Sequence, residues 1–64
     1  MNVTTENGIR FIDVDEIDVY CSTGYNRFNC VIYNRFNCVI YLKNGEVIYI
    51  FETFEQVDSM LKTN

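Results

Sequence analysis

Residues 25–32 read YNRFNCVI, and residues 33–40 read YNRFNCVI again, followed by Tyr41. Solenoid repeats run ~20–50 residues and their copies differ from one another. An eight-residue copy without a single difference is instead a tandem duplication inside one strand, recent or engineered. Side chains along a strand alternate faces with period two, so an insertion of odd length would turn every later residue to the wrong face. Eight is even. Phe28, Cys30 and Ile32 therefore repeat the facing of Phe36, Cys38 and Ile40. The chain is able to pair through either copy. The surplus copy must loop out, extend the strand by ~26 Å at ~3.3 Å per residue, or pair with another molecule.

Downstream of the repeat lies the strongest strand pattern, Cys38-Val39-Ile40-Tyr41-Leu42, then the turn Lys43-Asn44-Gly45-Glu46 and the return strand 46–51. Asn-Gly favours a two-residue type I′ turn. That turn would set Lys43 opposite Glu46, Leu42 opposite Val47 and Cys38 opposite Phe51. One face then carries Cys38, Ile40, Leu42, Val47, Tyr49 and Phe51. The other carries Val39, Tyr41, Ile48 and Ile50. Both are apolar, whereas an antiparallel sheet with one wet face should show a polar one. Val39, Tyr41, Ile48 and Ile50 are thus the candidate self-association residues. The C-terminal stretch reads as a helix. Thr53 and Gln56 form a capping box, and Phe54, Val57, Met60 and Leu61 make one apolar stripe. A single short helix covers one face of the hairpin and leaves the other.

Upstream, Ile17, Val19 and Cys21 alternate with Asp18 and Tyr20, which predicts a strand with the first three facing the core. Ser22-Thr23-Gly24 ends it. Asn7-Gly8 joins a short first strand around 2–5 to a second at 9–12. Asp13, Asp15, Glu16 and Asp18 form an acidic cluster. Their order lacks the glycine and distal glutamate of a calcium loop, so they read as a solvated acidic edge.

Composition limits function. Sixty-four residues give one domain, 1–64, with a marginal core that oligomerisation would reinforce. The net charge of −4 does not favour phosphate binding. With no histidine, a Ser-His or Cys-His nucleophile pair is impossible within one chain. There is no CxxC spacing and no glycine-rich phosphate loop, so no cofactor or metal is expected and the chain does not read as an enzyme. Three cysteines and a polar MNVTTENG start point to free thiols and a cytoplasmic setting. No apolar run reaches the ~20 residues of a membrane span. Tyr25, Phe28, Tyr33, Phe36 and Tyr41, interleaved with Arg27 and Arg35, resemble a single-strand nucleic-acid platform.

Asn7-Gly8, a strand, an Ile-rich edge, Val39-Ile40-Tyr41-Leu42-Lys43-Asn44-Gly45, a second strand and Glu52-Thr53-Phe54-Glu55-Gln56-Val57 follow one another in an order that resembles the small flagellar and swarming-motility proteins of the FlbD type. The same C-terminal half is similar to LytTR-type DNA-binding domains. Neither family implies catalytic residues here.

The expected fold is α+β and mostly β: a small antiparallel sheet of about four strands with one C-terminal helix. The expected role is a non-enzymatic interaction or regulatory module. It self-associates through β-strands, as a dimer, with another protein as a further partner. Two alternatives stand beside this reading: a nucleic-acid-binding module, and a folding sequence engineered with a duplicated strand.

Overall fold

The computed structural model describes residues 1–23 and 35–62. The chain is a small α+β protein, mostly β, with two antiparallel sheets and one C-terminal helix. Strands β1 (Asn2–Thr5) and β2 (Gly8–Phe11) form a hairpin. A 3₁₀ turn, Val14–Glu16, leads into β3 (Ile17–Ser22). Strands β4 (Cys38–Leu42) and β5 (Val47–Ile50) complete a three-stranded sheet ordered β3-β4-β5. Helix α1 spans Phe54–Lys62. Among the described residues the strands number five, in two sheets, where about four in one sheet were expected.

The second copy of the octapeptide supplies β4, through Cys38, Val39 and Ile40. The first copy, Cys30 included, lies outside the described residues.

Two local events set which side chains face the core, and neither is the expected one. The first is the β4–β5 turn. Gly45 N–H donates to the Leu42 carbonyl (3.0 Å), and Gly45 has φ +94°. Asn44 does not take a positive φ, which a type I′ turn would require of it. The loop is therefore three residues, Lys43-Asn44-Gly45, closed by Leu42 N–H on the Glu46 carbonyl (2.9 Å). Asn44 Oδ1 accepts from Glu46 N–H (2.8 Å) and braces it. The register slips by one residue from the expected one. Cys38 faces Ile50, Ile40 faces Ile48, and Tyr41 faces Val47.

The second event is a bulge at Asp18. Ile17 pairs with Leu42 but Val19 pairs with Tyr41, so one extra residue sits between them. A bulge shifts the alternation that follows it. Tyr20 is turned to the core side, while Val19 and Cys21 are exposed, the reverse of the expected facing.

The core then falls on one side of the sheet. Cys38, Ile40, Leu42, Ile48 and Ile50 are buried there with Val3, Ile12 and Val57. Helix α1 lies against them through Val57, Met60 and Leu61. Its capping box forms as read: Gln56 N–H donates to Thr53 Oγ1 (3.1 Å), and Thr53 N–H donates to Gln56 Oε1 (2.8 Å). Phe54 sits on the Tyr20 ring (5.2 Å between centroids), and the Tyr20 hydroxyl donates to Asp58 (2.7 Å).

The β1–β2 hairpin is joined to the end of β5. Phe51 N–H donates to the Thr4 carbonyl (2.9 Å). The Glu52 carboxylate accepts from both the N–H and the hydroxyl of Thr4, each at 2.8 Å. In sequence Glu52 directly precedes the capping residue Thr53. Its partner 48 residues away could not be read there.

Candidate functional site

With α1 and the core on one side, the opposite face of β3-β4-β5 is the surface to consider. Register gives two cross-strand rows on it, Val19–Tyr41–Val47 and Cys21–Val39–Tyr49. In the first row, Val19 is 50%, Tyr41 38% and Val47 45% exposed. A row of three large apolar residues, half open to water and adjacent on three strands, is where this sheet has surface left to bury. Cys21 is exposed in the second row, while Val39 is buried.

The four residues expected to form a self-association surface are divided by this geometry. Val39 and Tyr41 lie on the outer face. Ile48 and Ile50 lie in the core, at 5% and 0% exposure. The one-residue register slip exchanges them for Val47 and Tyr49, and the bulge at Asp18 adds Val19. Neither change carries a strong sequence mark. Asn-Gly suits both turn types, and no glycine flags the bulge.

Next to the outer face is a cleft of about 430 Å³, between the Thr5–Asn7 turn and β5. Arg10, Arg35, Phe36, Val47 and Tyr49 contribute to its walls. Arg10 is fixed by a two-point ion pair with Glu46, at 2.8 and 2.9 Å. The pair holds the Arg10 guanidinium above its ordinary pKa and the Glu46 carboxyl below its own. Phe36 stacks on Tyr49 (5.8 Å) and Phe51 (5.0 Å), and the Arg35 guanidinium lies over Phe36 (5.1 Å) and Phe51 (5.9 Å). The rings are used for packing, and Phe36 is 9% exposed. Of the aromatic platform suggested for nucleic acid, Tyr41 and Arg35 are exposed and Phe36 is buried; Tyr25, Arg27, Phe28 and Tyr33 lie outside the described residues.

Ile9 and Phe11 form a second exposed apolar pair, on β2, at 78% and 70%. The acidic cluster occupies the 3₁₀ turn and the bulge. Asp13 caps the turn by accepting from Asp15 N–H (3.1 Å). Among the described residues no group of three acidic or cysteine side chains converges to hold a metal ion. No helix among them is long and apolar enough to cross a membrane.

Comparison with known proteins gives no match to any family model, curated protein or solved structure.

Proposed function

We propose that this chain is a non-enzymatic protein-interaction module that self-associates, as a dimer, through the outer face of its three-stranded sheet. The observation that carries this is the half-exposed row Val19–Tyr41–Val47. Fully burying a side chain of this size stabilises by roughly 1.5–3 kcal/mol. A 64-residue domain gains more from such burial than a large one would, because its own core is small. The absence of histidine speaks against nucleophilic catalysis, and the order of turns and strands resembling small motility proteins is in keeping with a regulatory role.

Light scattering at micromolar concentration tests the reading. The expected result is a species of twice the 7.6 kDa chain mass. Val19→Asp should return it to a folded monomer. A 7.6 kDa species that persists on concentrating would overturn the proposal. Ile48→Asp is not a test of association, because Ile48 lies in the core and a charge there should unfold the chain.

A further inference from the structure

The cleft beside the outer face is lined by two arginines. Arg10 and Arg35 are two of the chain's five Lys and Arg residues, and Glu6 is the one acidic residue in the cleft wall. Arg10 is already engaged by Glu46. Arg35 is exposed and has no ion pair among the described residues. Its guanidinium is oriented by the Phe36 and Phe51 rings rather than by a carboxylate.

Negative charge is equally concentrated elsewhere. Asp13, Asp15, Glu16 and Asp18 are all exposed. Asp13 is occupied as a cap. The carboxylates of Asp15, Glu16 and Asp18 accept no hydrogen bond and form no ion pair among the described residues. Val14, in the middle of the turn, is 37% exposed. Two copies that each carry −4 repel at a distance. A contact between them is favoured when it sets the arginines of one against the acids of the other.

We propose that the arginine-lined cleft of one copy receives the acidic 13–16 turn of a second copy, with Val14 meeting Val47 in the cleft wall. The proposal rests on the self-association reading above and gives it an electrostatic half. A two-fold axis closes the pair, each copy giving its turn and taking the other's.

The test is charge exchange, read by sedimentation velocity. Arg35→Glu alone, and Asp15→Arg with Glu16→Arg alone, should each weaken association by about tenfold. An equimolar mixture of the two should restore it, because the reversed turn now fits the reversed cleft. Raising salt to ~1 M, where the Debye length is ~3 Å, should weaken the wild-type dimer. A contact made by the apolar face alone would instead hold or tighten as the −4 charges are screened. The proposal is overturned if the mixture is no tighter than its components, or if either variant associates as tightly as the wild type. Circular dichroism checks that the variants fold. Should Arg35→Glu loosen the fold, Arg35→Gln carries the same expectation at smaller size. Val19→Asp separates this proposal from the one before. Loss with Val19→Asp but not with Arg35→Glu keeps the sheet face and discards the cleft. The converse keeps the cleft and discards the face. A monomeric wild type discards both.

Discussion

Cys21 and Cys38 sit on neighbouring strands, close in register, and meet different surroundings. Cys21 lies across from Val39 on the outer face and is exposed. Cys38 lies across from Ser22 and Ile50 on the core side and has no exposed surface. Burial pushes the Cys38 thiol up to about 11, so little reactive thiolate forms at neutral pH. The two thiols point to opposite faces and are free. A short iodoacetamide pulse on the native protein should therefore alkylate Cys21 and spare Cys38. Trypsin makes the result readable despite the repeat, because cleavage after Arg27, Arg35 and Lys43 places Cys30 in FNCVIYNR and Cys38 in FNCVIYLK. Labelling of Cys38 at the rate of Cys21 would mean that β4 opens far more readily than a buried central strand should. The alternation pattern marked both cysteines as core. It was right for Cys38 and wrong for Cys21, and the bulge at Asp18 is the reason.

The elements themselves were largely legible, because each carries a local mark. Asn7-Gly8 and Asn44-Gly45 punctuate the hairpins, the β-branched run marks β4, and the Thr53–Gln56 box starts α1. What was not legible is register, since one positive φ at Gly45 in place of two at Asn44 and Gly45 exchanges the inner and outer faces of β5. Long-range ties such as Glu52 to Thr4 and Arg10 to Glu46 have no local mark at all. Sequence and structure together explain which octapeptide copy forms β4. Residues 25–33 and 33–41 are the same nine letters, and they part at Asn34 and Leu42. Leu42 is buried, and the Lys43-Asn44-Gly45 loop follows it directly. An asparagine in its place would forfeit roughly 1.5–3 kcal/mol of apolar burial and leave a polar amide to satisfy. Deleting residues 25–32 removes none of the described elements, so the shortened chain should fold with the same far-ultraviolet circular dichroism and a melting temperature within a few degrees. Collapse of that spectrum would show that the first copy is needed to hold the sheet together.

Across the whole molecule, a few polar side chains tie together elements that are far apart in sequence. Glu46 joins the β4–β5 turn to β2 through Arg10. Asp58 joins α1 to β3 through the Tyr20 hydroxyl, and also holds Lys62 one helical turn on (3.1 Å). Each tie has a pH signature. The Tyr20 hydrogen bond, and then Lys62, hold the Asp58 carboxyl below its ordinary range, and Arg10 does the same for Glu46. A carboxyl whose folded pKa is depressed adds stability above its unfolded pKa and loses that stability as pH falls through the folded value. The Tyr20 hydroxyl is held above its ordinary value, first by the bond it donates to Asp58. Its sign is the reverse: the stability is present below the unfolded pKa and lost as pH rises through the folded one. With no histidine in the chain, no imidazole titrates between these limbs. The contribution of these ties to the melting temperature should therefore be flat from about pH 5 to about pH 9 and fall on both sides. The acid limb should be shallow, because these carboxylates are at the surface and solvent screens them. Asp58→Asn should flatten part of both limbs at once, since one carboxylate serves Lys62 and Tyr20 together. Thermal melts of the wild type and this variant across the range decide it. A variant whose two limbs match the wild type would show that the Tyr20–Asp58 tie does not hold the helix to the sheet.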